Sequence, residues 1–455
     1  MNTLTAARAQ MEISLAFHMV FAALGIGLPL LLVIAEGLWL RTGRAHYLVL
    51  ARRWSKATGL LFVVGAVSGT ALSFELGLLW PGFMSFAGPL IGPVFTLEGF
   101  AFFIEAIFLG IYLYGWDRVS PRAHWLAGVV VAVSGMLSGL VVIAANAWMQ
   151  QPTGFHLVAG HMVDVDPLAP FRARAWRVMG LHSTLSSYAA TGFAAAGVYA
   201  LAMLRGRRDD YHRAGLRIAL AVASCALLLQ LPSGHASAQL VASTQPVKLA
   251  AMEAHFDTAR DVPETLGGWP DVRTGTVRFA VRIPYMLSVL ATDDPHAEIR
   301  GLRAFPRDLW PNVVVTHVAF QLMVACGMAL AGLSVLFLFL RWRRRDDWVW
   351  LLRAAVMCAP LGFVALEAGW FVTEVGRQPW IIQGIMRTRD AVTTVPHAGA
   401  VFWAFGVLYV GMGIVLVSLL RGLARIPIGA LPATSVTEAP ALPADGRARE
   451  DSDVR

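Results

Sequence analysis

Apolar positions along this chain come in long unbroken stretches, not in alternating or single-faced patterns. Nine stretches, roughly 12–40, 57–80, 94–115, 124–148, 182–204, 216–231, 313–340, 351–375 and 397–422, are apolar on every side with few charges. Runs of about 20 such residues predict membrane-spanning helices. They are too long and too continuously apolar for barrel strands, and lipid leaves no other way to satisfy the backbone. The expected fold class is therefore all-α: a polytopic membrane protein with nine transmembrane helices. The first stretch has no basic segment before it and no small-residue cleavage site after it, so it is read as a retained helix.

Composition supports this reading. Of 455 residues, 57% are hydrophobic and only 15% charged, with a mean hydropathy of +0.60. The formal net charge of +8 is not a nucleic-acid signal, because the basic residues sit in short connections. Arg41, Arg44, Arg52, Arg53 and Lys56 follow the first helix. Arg205, Arg207, Arg208, Arg213 and Arg217 follow the fifth, and Arg341, Arg343, Arg344, Arg345 and Arg353 the seventh. All three clusters share one side, which the positive-inside rule makes the cytoplasm. The N-terminus is then outside and the C-terminus inside. The long connection 232–312 is external. Residues 1–425 form the membrane domain, and the Pro-, Ala- and charge-rich segment 426–455 reads as a disordered cytoplasmic tail. Cys225, Cys326 and Cys358 fall in predicted helices, with neither metal-type spacing nor an external disulfide framework.

Ionisable side chains inside membrane helices are costly and usually mark function. Here they collect toward the outer half of the bilayer. His18 lies early in the first helix. Glu98 and Glu105, seven residues apart, share a face of the third. His182 opens the fifth, Met323 lies in the outer part of the seventh, and Glu374 and Arg377 end the eighth. Each has an ordinary explanation: a hydrogen-bonded packing histidine, a core methionine, an interfacial ion pair. Together they suggest redox chemistry. Imidazole, thioether and carboxylate are all axial ligands for haem iron, and a His/Met pair suits an electron-transfer haem. A haem propionate needs a cationic partner such as Arg377, and carboxylates in line along one helix suit proton delivery.

At the level of motifs the chain resembles subunit I of cytochrome bd-type quinol:oxygen oxidases. "EAGWFVTE" (367–374) followed by "GRQPW" (376–380) carries the likeness. "LAFHMVF" (15–21), "LEGFAFFIE" (97–105), "ANAWMQQPTG" (145–154), "KLAAMEAHF" (248–256), "IPYMLSVLAT" (283–292) and "AFQLMVACG" (319–327) support it in the expected order from about 5 to 425.

The resemblance implies a set of roles. His182 and Met323 would be the axial ligands of a low-spin haem b. His18 and Glu374 would each serve one of two closely placed haems, a high-spin haem b and an oxygen-binding haem d, or a further haem b in its place. Glu98 would sit beside the oxygen-reducing haem, Glu105 on the proton path, and Arg377 against the haem pair. Lys248 and Glu253 would belong to the quinol site in the external loop. The implied enzyme sits in the bacterial cytoplasmic (inner) membrane, oxidises quinol outside and reduces O2 to water with cytoplasmic protons, moving charge without pumping. It works with a second membrane subunit and small single-helix accessory subunits. Two departures stand out. Gln321 replaces an arginine of many relatives, and "LPSGHASAQ" (231–239) puts His235 where many have an acidic run. The short external loop resembles the cyanide-insensitive branch. A proton-coupled transporter using Glu98 and Glu105, and a non-catalytic haem-binding subunit, are the rival classes.

Overall fold

The computed structural model describes residues 2–345, 347–394 and 398–425; the predicted tail 426–455 lies outside the described residues. Among them are nine helices long and apolar enough to cross a membrane: α1 (Thr3–Thr42), α2 (Ala45–Leu79), α3 (Pro81–Tyr114), α4 (Pro121–Gln150), α5 (Arg174–Leu204), α6 (Asp210–Thr244), α7 (Val313–Trp342), α8 (Val349–Val375) and α9 (Gly399–Arg425). The predicted number and order of helices hold. The predicted ends do not. α1 starts at Thr3 and α2 at Ala45, so Arg52, Arg53 and Lys56 lie on a helix and not in a loop. α5 starts at Arg174, placing His182 two turns inside it. α6 runs on to Thr244, so the long connection begins near 245 and not at 232. Hydropathy reports contact with lipid. Backbone hydrogen bonding continues past the hydrocarbon edge wherever nothing breaks it, and these helices exceed the roughly 20 residues needed to span.

Polar caps fix several helix starts. Asn2 Oδ1 accepts from the Thr5 amide (2.8 Å) and Ser120 Oγ from the Ala123 amide (3.3 Å). Asp209 Oδ1 takes the His212 amide (2.9 Å) and Asn312 Oδ1 the Val315 amide (3.2 Å). Each supplies one of the partners a helix start lacks. α1 turns into α2 over two residues, with Gly43 in the left-handed region (φ 67°), where a side chain would be strained. α8 is interrupted at Ala359–Pro360, giving segments Val349–Cys358 and Leu361–Val375; proline cannot donate to the preceding turn. α5 is the most enclosed span, 61% of its apolar window being buried, and α9 the most peripheral, at 11%.

Small residues bring the central helices close. A Cβ built on Gly27 of α1 would lie 2.3 Å from Thr191 Oγ1 of α5, and one on Gly362 of α8 would lie 2.6 Å from the Ala190 backbone. Thr191 also donates its hydroxyl to the Ala23 carbonyl across the same interface (2.9 Å). At the basic end a buried triad ties α1, α3 and α4. Glu36 Oε1 meets His124 Nδ1 (2.7 Å), Tyr112 donates to Glu36 Oε2 (2.6 Å), and His124 Nε2 faces the Tyr112 carbonyl (2.9 Å).

At the opposite end, residues 245–312 form a packed cap. A short helix, Pro246–Met252, leads to strands Glu264–Leu266 and Val281–Ile283, paired antiparallel, and Trp269–Asp271 paired with Thr276–Arg278. Leu249, Val262, Leu287, Ala291 and Ile299 make one small apolar core, and Ala250, Phe256, Leu302 and Val313 part of another. The outer end of α7 clasps the cap. His317 Nδ1 and Nε2 face the Met252 and Gly267 carbonyls (2.7 and 3.1 Å). One turn on, Gln321 accepts from the Gly267 amide (2.8 Å) and donates to the Thr265 carbonyl (2.7 Å). Gln321 is thus a loop clamp in this chain.

Replacing Gly27 with valine forces the α1–α5 contact apart. Overpacking of this kind costs about 1–3 kcal/mol. The expected result is a lower thermal midpoint for the purified complex, partly restored by adding Thr191→Ala, as a coupled pair requires.

Candidate active site

Two histidines share one local design. His18 Nδ1 lies 3.0 Å from Ser68 Oγ of α2, and that hydroxyl donates to the Gly65 carbonyl (3.1 Å). His182 Nδ1 lies 3.0 Å from Ser233 Oγ of α6, and that hydroxyl donates to the Gln230 carbonyl (2.9 Å). Each serine has spent its proton, so each ring must donate from Nδ1. The lone pair is left on Nε2, the arrangement a metal-ligating histidine needs. In His182 the Gln230 amide nitrogen lies 3.1 Å from that lone pair. Gly69 sits against His18: a Cβ there would come within 2.9 Å of Cε1. His18 is fifteen residues past Thr3, deeper in its helix than the sequence suggested.

Met323 of α7 points at α8, where a Cβ on Gly369 would lie 3.1 Å from its Sδ. The helices bearing His182 and Met323 both pack on α8. Farther along α8, Glu374 accepts from Asn146 Nδ2 of α4 (2.7 Å) and from Arg377. The Arg377 side chain is 3% exposed, and its Nε and Nη1 are buried with no partner among the described residues. A groove between α1 and α8 is lined by Glu12, Leu15, Ala16, Glu367, Trp370, Phe371, Glu374 and Val375. Both carboxyl oxygens of Glu367 are buried there, likewise without partners among the described residues.

The two acids of α3 face α4. Glu98 accepts from Ser138 (2.9 Å), and a Cβ on Gly135 would lie 3.0 Å from Glu105 Oε1. They form a file along one helix interface, as their spacing predicts.

The loop residues are not where a solvated loop would put them. Lys248 and Glu253 are 6% and 3% exposed. An external loop with a core of its own buries both side chains. Lys248 Nζ reaches the Thr373 carbonyl (3.3 Å) and Gln150 Oε1 (3.5 Å), and its stem packs where a Cβ on Gly376 would sit. It therefore joins the Glu374–Arg377 cluster. Burial, with help from Arg377, pushes its amine down to about 7 against the pull of Glu374. Glu253 is in hydrogen-bond contact with Glu264, and burial raises both carboxyls above their usual range. His235 lies on α6, half-exposed and paired with Asp293 Oδ1 (3.0 Å).

Haem fits this donor set. Two imidazoles are set with Nε2 unprotonated, that of His182 facing the Gln230 amide that a ligand would displace, a thioether faces a glycine, and a nearly buried guanidinium keeps two unused donors suited to a carboxylate such as a propionate. No group of three or more His, Cys, Asp or Glu suited to a bare metal ion occurs among the described residues, so the dispersed single ligands suit a macrocycle better.

Residues 6–427 match the sequence profile of the family described as cytochrome bd terminal oxidase subunit I. The chain belongs to this family. A Bacillus subtilis (strain 168) protein assigned as a cytochrome bd menaquinol oxidase subunit I is 36% identical over 428 residues, 92% of this chain and 96% of its own. The cytochrome bd ubiquinol oxidase subunit 1 of the same organism is 31% identical over 438 residues, 92% and 93% of the two chains. A solved bd oxidase chain from Geobacillus thermodenitrificans superposes with a TM-score of 0.89 at 36% identity, covering 94% of this chain and 99% of that one. The motif-level resemblance therefore holds, the transporter class is set aside, and the chain is a multi-pass bacterial membrane protein of the terminal quinol oxidase class with haem as its cofactor.

Several residues escaped the sequence reading. Asn146 is a neutral amide at a helix end. Glu264 lies in a short strand of the cap. Glu367 stands inside a quoted motif without a stated role. Glu75, which accepts from Ser14 (2.7 Å) beside Tyr409, looked like the polar end of α2. Only their shared depth with His18 or Glu374, counted in turns from the helix ends, would have flagged them.

Lys248 carries a stability signature. An amine normally near 10.5 that falls to about 7 on folding is charged in both folded and unfolded chains below about pH 7, where the burial cost is complete. Between there and 10.5 only the unfolded chain holds the proton, so stability rises with pH. Lys248→Met is expected to raise the thermal midpoint most below pH 7, with the gain shrinking toward pH 10. A gain independent of pH would show that the amine titrates alike in the folded and unfolded chains, so that folding does not perturb it.

Proposed function

We propose that this chain is the haem-bearing subunit of a terminal oxidase that takes electrons from quinol at the cap and reduces O2 to water within the bundle near that end. The common histidine design carries the reading: two serines, on α2 and α6, each fix a neighbouring ring with Nε2 presented and Nδ1 occupied.

His182 and Met323 would hold a low-spin haem b. His18 and Glu374 would each hold one of two further haems, a high-spin haem b and a haem d or another haem b. Bound haem supplies one-electron transfer and oxygen chemistry. The protein's own residues do the rest. Asn146 and Arg377 hold Glu374 by both oxygens and keep its carboxylate aimed. The two remaining donors of Arg377 would receive haem carboxylates. The Lys248 amine, when protonated, adds a second positive charge beside Glu374.

Protons travel along the α3–α4 interface. Glu105 lies nearer the basic end and Glu98, oriented by Ser138, nearer the cap. The basic clusters make their end cytoplasmic by the positive-inside rule, with the N-terminus and the cap outside. Quinol protons then leave outside while protons for water enter from the cytoplasm, so charge moves across the membrane without a pump. The partners are a second membrane subunit, small single-helix accessory subunits, quinol and O2. Residues 245–312 form the quinol-binding cap, and Lys248 and Glu253 belong to its site.

His182→Ala and Met323→Leu are each expected to abolish the low-spin signal in a reduced-minus-oxidised spectrum and quinol oxidation with it; a normal spectrum in both would refute the ligand pair. Glu105→Gln is expected to keep all haem absorbance and to slow oxygen uptake by about 100-fold, the lower range for loss of a positioned proton carrier. Unchanged uptake across pH 6–8 would remove Glu105 from the path.

A further inference from the structure

The cap holds a second carboxyl that the proposed quinol site does not use. Glu264 begins the first strand of the cap hairpin, opposite Ile283, and is 7% exposed. Its side chain is in hydrogen-bond contact with that of Glu253. On each residue Oε2 is buried with no partner among the described groups. Two carboxylates cannot approach each other out of water while both are charged, and an unpaired buried oxygen on each is costly. One proton shared between them removes both difficulties.

The surroundings do not offer a cation instead. Lys248, on the short helix that ends just before Glu253, reaches the other way, to Gln150 and Thr373. His317 of α7 spends both ring nitrogens on backbone carbonyls, those of Met252 and Gly267. Gln321 is engaged with Thr265 and Gly267. His255 faces the Ile299 carbonyl. In the partner strand Arg282 stands opposite Thr265, not Glu264. Among the described residues neither carboxyl takes part in an ion pair. The pair is also anchored from both sides, since His317 and Gln321 lock the backbone at Met252, Thr265 and Gly267 to one helix face.

We propose that Glu253 and Glu264 work as a single acid–base unit in quinol oxidation, with Glu253 taking the hydroxyl proton and Glu264 as the positioning residue that holds the shared one. This rests on the quinol-oxidase reading above. Oxidation of a quinol to its quinone breaks two O–H bonds and releases two electrons and two protons. The electrons pass to the enzyme's own oxygen-reducing centres. Each proton in turn passes from the hydroxyl oxygen to the carboxyl pair and then to the outer solution. Once the shared proton has left for the outer solution, the doubly charged pair is a stronger base than a lone, well-solvated carboxylate, because the next proton taken from the hydroxyl relieves the repulsion between the two charges. The pair's apparent titration belongs to both groups together.

The test is oxygen uptake by the assembled oxidase from pH 5 to 9, once with a quinol and once with an artificial donor that bypasses the quinol site, with haem content checked by absorbance. In Glu264→Gln the like charge is gone and an amide donates to Glu253, so its proton is lost more easily. The rising limb of the quinol profile is expected to move to lower pH by about one unit or more, while the artificial-donor profile stays put. Glu264→Asp keeps the pair and should keep the limb. A profile that is scaled down without moving overturns the proposal, as does a shift seen equally with both donors. If Glu264→Gln does not assemble, Glu264→Thr, which suits a strand position, is read in the same way; failure of both to assemble while the aspartate variant does makes Glu264 structural and also overturns it. Absence of quinol-dependent uptake in the unaltered enzyme would instead refute the underlying quinol-oxidase reading.

Discussion

A guanidinium that is almost fully buried with only part of its hydrogen-bonding capacity used is the constraint around which the cap end of this protein is arranged. Arg377 pairs with Glu374, yet two of its nitrogens have no protein partner. Truncating one member of such a pair typically costs 3–5 kcal/mol, because the other is left charged and alone. The neighbours follow from that cost. Asn146 reaches over from α4 to fill the second oxygen of Glu374. Gln150, one turn farther along α4, engages the Thr373 carbonyl and Lys248. Three elements, α4, α8 and the first helix of the cap, therefore meet at one charged point.

The same economy of polar groups shapes the histidines. A ring that must present one particular nitrogen needs its tautomer set by something outside itself. In both cases a serine on the adjacent helix does this by first giving its own proton to a carbonyl three residues back. The device costs one small residue per site and works in an apolar interior, where no water competes for the ring. It also explains why the residues beside these two rings include Ser68, Gly69, Ser233 and Gly234 and not the leucines and valines that fill the rest of the bundle.

Much of this was legible from the chain. Long apolar runs report lipid contact directly, so the nine helices, the common face of Glu98 and Glu105 and the place of Glu374 at a helix end could be counted out, whereas His18 and His182 lie deeper than the runs suggested because their helices begin earlier. The ends of α2 and α6 were not legible, because a helix that leaves the bilayer keeps its hydrogen bonds but loses its apolar signature. The burial of Lys248 and Glu253 was hidden for a related reason. The cap core is assembled from residues far apart in the chain, Leu249 with Ile299 and Phe256 with Leu302, and such a core leaves no period in the sequence. Motif likeness found the charged participants, whereas Asn146, Ser68 and Ser233 act through geometry alone and carry no marker in composition.

The interruption of α8 at Ala359–Pro360 separates two jobs that an unbroken helix would have joined. In a continuous rod, inserting one residue near the basic end would rotate everything beyond it by about 100° and swing Glu374 away from Asn146. Here the turn can absorb such a change, so the register of Val349–Cys358 is uncoupled from that of Leu361–Val375. The half next to the basic connection is left able to drift in length and sequence over evolutionary time, while the half that carries Gly369, Glu374 and Arg377 is held by the elements packed against it.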